Sequence, residues 1–431
     1  MSEPSRRNGI LFRNAKIFDG SSAKLQVGLE VLVVGEQIQT IGPVGSVLAE
    51  DVKIIDCAGG TLMPGIIDAH VHVYGASLNV TRLVQSPMSY VAHYAACFMQ
   101  ASLNRGFTTL RDMGGADVGL ALAIKDGLLQ AVPRLFYGGR VISQTGGHGD
   151  FRTNDHNLND HQYCGCGGHV DILATVADGV DAVRKAVREE LRRGASHIKV
   201  MASGGVASQS GRLDRCQYSE EELRSAVDEA ERAGSYVATH CHPTEAVRRS
   251  AALGVRSIEH ATFIDRPTAD FVAERGSYVV PTMAIVGGLV EKGAELGVSS
   301  ISMEKLKRVA EQATRSIQIM KEAGIRMGFG SDLLGALSPR QATEFILRAE
   351  VLPAIDILRS ACSVNAEIMG QSGRLGCVKE GAAADLLVVN GDPLEDISLL
   401  GRDGAALNVI MAAGRLHKTF GVTVTESSRM L

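Results

Sequence analysis

The sequence predicts an α/β fold, a (β/α)8 TIM barrel with a small β-sandwich domain formed from both chain termini. Three observations predict it. From about residue 65 to residue 332, eight apolar strand-like runs alternate with amphipathic helical segments, the pattern of a parallel α/β sheet. Residues 9–56 and the C-terminal end instead hold short alternating strands with no helices between them. The length, 431 residues, suits one large barrel with an appendage. The boundaries that follow are 1–63 plus 375–431 for the small domain and 64–374 for the barrel.

The elements read in order. "GILFRNAKIFDG", "LEVLVVGEQIQTIG" and "VKIIDC" are the N-terminal strands, too few for a sandwich without "GAAADLLVVNGDPL" and "LNVIMAAGRL" from the other end. The eight barrel strands fall at 65–73, 107–114, 134–143, 195–203, 235–242, 255–261, 277–283 and 326–332. Between the fourth and fifth, Ser219 and Glu222 form a capping box. Leu223, Ala226, Val227 and Ala230 then repeat at helical spacing, and Gly234 stops the helix. The segment before the fourth strand ends alike, on basic residues and Gly194. Residues 302–324 carry Leu306, Val309, Ala313, Ile317 and Met320 on one face.

Composition narrows the function classes. Net charge is −4, from 44 basic and 48 acidic residues with no long run of either sign, which argues against a nucleic-acid or membrane-surface partner. No tryptophan and 4% aromatics leave no stacking platform for single strands. No run reaches the ~18 apolar residues of a membrane span, and the N-terminus lacks an apolar stretch of signal-peptide length. Eight cysteines in a chain this long read as reduced thiols, so the expected location is cytoplasmic.

Chemistry gathers at the strand ends, where a barrel builds its active site. The first strand ends in His70-Val71-His72, and side chains two apart on a strand share a face, so both imidazoles can reach one metal at ~2.0–2.1 Å. Lys199 stands on the fourth strand, His240 and His242 on the fifth, His260 on the sixth and Asp332 at the end of the eighth. Each is weak evidence alone. Five histidines and an aspartate on four strand ends, in a chain with 12 histidines, point to metal. Lys199 leaves two readings open: a snorkelling ammonium, or an amine whose pKa falls on burial and which adds carbon dioxide to become a metal-bridging carbamate.

"MPGIIDAHVHV", "HIKVMASGGV", "ATHCH", "SIEHAT" and "GFGSD" together resemble the amidohydrolase superfamily, and "GAAADLLVVNGDPLEDI" resembles its small β domain. "SQTGGHGD" and "QYSEEEL" are similar to the imidazolonepropionase-related branch of Xaa-Pro dipeptidases, carboxypeptidases and ochratoxin-hydrolysing amidases. The resemblance implies that His70, His72 and Asp332 hold one of two divalent ions, zinc by expectation, and His240 and His260 the other. Lys199, N6-carboxylated, would bridge them. It implies hydrolysis of small N-acyl or aminoacyl amino acids, ochratoxin A among them, with Asp332 as general base and then general acid. His148 and Tyr218 are the candidate oxyanion contacts. His148, Tyr218, His242 and Arg212 are the candidate substrate contacts, although loop, packing and surface roles stay open for His148, Tyr218 and Arg212. It further implies a homo-oligomer, a tetramer or octamer.

Three other readings remain. His242-Pro243-Thr244-Glu245 has the spacing of a mononuclear deaminase. A Xaa-Pro dipeptidase is the near rival, and a non-enzymatic scaffold is disfavoured because no ligand is missing. Cys164, Cys166 and His169 read as a Gly-rich loop shaping access to the barrel mouth, with an accessory zinc or redox site as the alternative.

Overall fold

The computed structural model describes residues 9–47, 51–152, 173–207 and 212–427. The loop with Cys164, Cys166 and His169 lies outside the described residues.

Each end of the chain supplies strands that cannot bury their apolar face alone, so the two ends pair. Leu386–Val389 runs antiparallel to Thr61–Pro64, and Thr423–Ser427 antiparallel to Val52–Asp56. Two five-stranded sheets result, each drawing on both termini. Phe12, Val31, Ile38, Ile55, Leu62, Leu386, Val388, Val409 and Met411 form one apolar cluster in which residues from both ends meet. Each large aliphatic side chain buried there contributes ~1.5–3 kcal/mol, so losing either terminus exposes the other.

Pro64 ends a terminal strand and Ile66 begins the next. Ile66–Val71, Phe107–Asp112 and Arg134–Tyr137 pair in parallel. Val141–Ser143, Ile198–Met201, Val237–Cys241, Ser257–His260 and Tyr278–Val280 continue the parallel order. Apart from the half-buried Arg134–Tyr137, these strands are buried throughout, which is why they read as apolar runs rather than alternations. Register places Met201 opposite His240 and Cys241 opposite His260, so successive strands bring their C-terminal halves to one level.

Three expectations need correction. The run 134–143 is two strands, broken at Gly138-Gly139. Gly139 has φ +69°, and a Cβ there would lie 2.2 Å from the Glu190 carboxylate. Ala174–Val176 adds a short parallel strand to Val141–Ser143 that sequence reading did not foresee. Residues 326–332 form no regular strand. A single parallel bridge joins Met327 to Val279, and the rest is individual backbone bonds: Ala69 N–H to the Phe329 carbonyl (2.9 Å) and Asp332 N–H to that of His70 (2.8 Å). The Asn365 side chain replaces the missing ladder, donating to the carbonyls of Ile67 and Phe329 and accepting from Phe329 N–H. Through these bonds the parallel order returns to the first strand.

The helices match the pattern more closely. Glu220–Arg232 starts on the reciprocal Ser219–Glu222 capping box and buries Leu223, Ala226, Val227 and Ala230. Ser300–Glu322 buries Leu306, Val309, Ala313, Ile317 and Met320. No helix among the described residues is long and apolar enough to cross a membrane.

Candidate metal centre

His70 and His72 leave the first parallel strand on the same side. The Nδ1–H of His70 donates to the Glu259 carboxylate at 2.7 Å, and that of His72 to the Gly114 carbonyl at 2.9 Å. Each ring therefore keeps Nε2 for another partner, and both Nε2 atoms approach Asp332 Oδ1, at 3.4 and 3.2 Å. One ligand atom from each of the three lies within 4.8 Å of the other two. Asp332 reaches this place with φ +57° and His260 with φ +72°, left-handed conformations that cost a non-glycine residue about 1 kcal/mol or more and tend to mark functional sites.

His260 and His240 complete a ring of imidazoles. Their centroids are 4.6 Å apart, and that of His260 is 5.1 Å from His70. His260 Nδ1 bonds Thr282 Oγ1 (2.8 Å) and His240 Nε2 bonds the Gly204 carbonyl (3.3 Å), so each again has one ring nitrogen left over. Lys199 lies buried beside them at 1% exposure, and no described residue hydrogen-bonds or ion-pairs with its amine. Burial pulls the Lys199 amine below its ordinary pKa against the opposing charges of Glu259 and Asp332. Burial also drives His240 and His260 well below the usual imidazole value. Asp332 goes the other way for a carboxyl in such a place: burial resists ionisation, but His70, His72 and His260 hold it well below the carboxylate range. Four imidazoles, each with one ring nitrogen held by a partner and the other left over, and one carboxylate are a donor set that fits divalent metal.

The remaining candidates divide. His148 lines the cavity above the ligands, stacked on His240 with centroids 4.3 Å apart, and its Nδ1 is buried without a partner among the described residues. Burial, with the charges of His242 and Lys199, takes it down to about 3. His242 also lines the cavity, its Nδ1 on Thr262 Oγ1 at 3.1 Å. Tyr218 does not reach the cavity. Its hydroxyl donates to the Ala177 carbonyl at 2.9 Å, which spends the group that was expected to face an oxyanion. Arg212 is 67% exposed and forks onto Asp214 at 3.0 and 2.8 Å, so it is a surface ion pair rather than a substrate anchor. Glu245 is exposed in the first turn of Thr244–Ala252 and is not among the cavity residues, which removes the acid that the deaminase reading required.

The cavity encloses about 660 Å3. Its polar floor is the histidine ring, and its walls include Leu83, Phe151, Met283, Ile285, Leu289 and Leu306. Arg152 lies on its edge, paired with Asp150 at 2.6–2.7 Å, and sequence reading missed it. It also missed the supports beneath the ligands. Glu259 takes a hydrogen bond from Arg111 (2.9 Å) on one oxygen and from His70 on the other. Burial opposes its ionisation, but the Arg111 charge and the His70 bond hold it below the ordinary value. Asp68 accepts from His70 N–H, from both donors of Ser331 and from Gln341. The signal was available: a charged residue inside a buried strand, which singled out Lys199, occurs again as Arg111 in "FTTLRD" and Glu259 in "SIEHA".

Residues 61–416 match the Amidohydrolase family. The chain belongs to it. The ochratoxinase of Aspergillus niger is 30% identical over 374 residues, covering 84% of this chain and 76% of the relative. The crystal structure of a prolidase complexed with N-methylphosphonate-L-proline superposes with a TM-score of 0.91 at 41% identity, over 96% of this chain and all of that one. A Xaa-Pro dipeptidase with bound methionine gives 0.83 at 30% identity, over 95% of this chain and 100% of that one. The chain is thus a hydrolase acting on amide bonds.

Proposed function

We propose that this protein is a binuclear metal-dependent hydrolase of small N-acyl or aminoacyl amino acids. In this reading the parallel strands close into a (β/α)8 barrel over 64–374, and the sheets from 1–63 and 375–431 form the small β-sandwich domain. His70, His72 and Asp332 would hold one ion, His240 and His260 the second, and Lys199, carboxylated on Nζ, would serve as a ligand shared by both. The observation that carries it is Lys199: a side chain 1% exposed, lining the cavity beside four imidazoles and with no hydrogen-bond partner among the described residues, is costly as an ammonium and matched as an anionic ligand. Bound zinc would lower the pKa of a water to ~7 and polarise the amide carbonyl.

The chain's own residues do the rest. Asp332 is placed beside both ligands of the first ion, where one carboxylate oxygen can take a proton and hand it to the leaving amine. His148, neutral and with a spare ring nitrogen, faces the same cavity and can hydrogen-bond the carbonyl oxygen as charge develops there. The apolar walls exclude water and accept an apolar side chain. A homo-oligomer, tetramer or octamer, working in the cytoplasm belongs to the same reading, and sedimentation tests the first part.

The ochratoxinase on one side and the prolidase and Xaa-Pro dipeptidase on the other support neighbouring substrate classes, so a Xaa-Pro dipeptidase is the second reading. Turnover of N-acyl-phenylalanines, including ochratoxin A, is measured beside Xaa-Pro dipeptides on the zinc-loaded enzyme. A kcat/KM at least tenfold higher for the N-acyl series supports the first reading. The reverse order moves the protein to the second, and no amide turnover with either series defeats both.

A further inference from the structure

Arg111 and Glu259 are both 0% exposed and joined at 2.9 Å, an ion pair with no access to the cavity. A buried pair of this kind is weak evidence for stability, because its desolvation offsets its attraction. Its bonds point elsewhere. One Glu259 oxygen accepts from Arg111, the other from His70 Nδ1–H at 2.7 Å. Arg111 Nε donates to the Ala69 carbonyl at 2.6 Å, the peptide that leads directly into His70, and its terminal nitrogens reach Ser257 Oγ at 3.2 Å. Glu259 is also the residue before His260 on its strand. The pair therefore touches the ring and the backbone of one candidate ligand and the strand that carries another.

We propose that Arg111 and Glu259 are positioning residues that set the tautomer and orientation of His70 and tie its strand to that of His260. A carboxylate can only accept, so it fixes the proton on His70 Nδ1 and leaves the Nε2 lone pair toward Asp332. Arg111 keeps that carboxylate in place and fixes the preceding peptide. This inference rests on the metal-site reading above, and its effect is on metal affinity rather than on substrate contact. Outer partners of metal-binding histidines change affinity by about 10–100-fold when replaced.

The test titrates metal-stripped wild type, E259Q, R111K and the double variant R111M/E259Q with zinc against a chromophoric chelator, and records thermal melts of each. E259Q keeps the shape but offers an amide in place of two accepting oxygens. It is expected to bind the tighter zinc about 10–100-fold more weakly while retaining its KM for substrate at saturating zinc. R111K, which keeps the charge but not the fork, falls between. R111M/E259Q carries no unpaired buried charge, so its metal-free melt stays near that of wild type while its zinc affinity stays low. Wild-type affinity in E259Q, or its recovery in the double variant, overturns the positioning role and leaves the metal site standing. Wild type that takes up no zinc overturns both.

Discussion

Gly330→Ala probes how tightly the irregular eighth segment is held against the first strand. A Cβ at Gly330 would lie 2.7 Å from His70 Cβ, 2.7 Å from Val280 Cγ1 and 3.2 Å from His70 N. Ordinary contact begins near 3.4 Å, so two neighbours must each give by about 0.7 Å, and one atom within reach is backbone. His70 cannot yield by rotating, because Glu259 and the Arg111–Ala69 bond hold it from behind. Overpacking of this kind costs about 1–3 kcal/mol, and the displacement acts on a candidate ligand. The assay is chelator-treated and zinc-loaded melts with zinc titration. Gly287→Ala is the control, since its Cβ would meet only the movable Leu347 side chain at 3.3 Å inside Met283–Lys292. Alanine there gains up to about 1 kcal/mol of helix propensity. G330A should melt lower than wild type in both states and bind zinc at least tenfold more weakly, with G287A unchanged or more stable. A G330A protein that melts and binds like wild type would refute the close approach.

Three further outcomes are expected. Gly205→Ala puts a Cβ 2.4–2.8 Å from the His148 ring, so it should displace His148 and lower kcat about 10–100-fold with metal content intact; an unchanged kcat would remove His148 from the reaction. Arg212→Ala should leave kcat and KM within about twofold, since the side chain is paired with Asp214 at the surface, and a KM rise above tenfold would restore it as an anchor. In metal-stripped protein, burial holds His148 at about 3 and His242 at about 4, below the ordinary imidazole value, so the unfolded chain binds more protons between those values and ~6.5. Their contribution is therefore present above pH ~6.5 and lost as pH falls, about 3 kcal/mol for His242. Melts from pH 7 to 4 should show it, H242N should flatten the curve, and a curve rising toward acid would contradict it.

What could be read from the sequence was whatever repeats or recurs in one dimension. Apolar runs showed the parallel strands because both faces of each are buried, and Ser219, Glu222 and Gly234 marked a helix by local chemistry alone. His70, His72, Lys199, His240, His260 and Asp332 stood out as chemistry-bearing residues at strand ends, and the structure gathers all six around one cavity. Segment 326–332 did not follow, because its ladder is replaced by Asn365, a residue more than thirty positions away. Tyr218 and Arg212 failed as substrate contacts for a related reason. Motif position says which loop a residue is on, whereas the Ala177 carbonyl and Asp214 decide where its polar end goes. Arg111 and Glu259 carried the same signal as Lys199, but their partner in space was another strand's charge, and pairing between strands far apart in the chain leaves no mark in local spacing.

Metal content per chain tests the role of Lys199 most directly. Wild type and Lys199→Ala are purified without chelator and measured by elemental analysis, with and without short-chain carboxylic acids. About two ions are expected in wild type, fewer in the variant, and partial restoration by the acids, which stand in for the lost carbamate. One ion per chain, the same in both proteins, would contradict the bridged pair and leave Lys199 a structural amine.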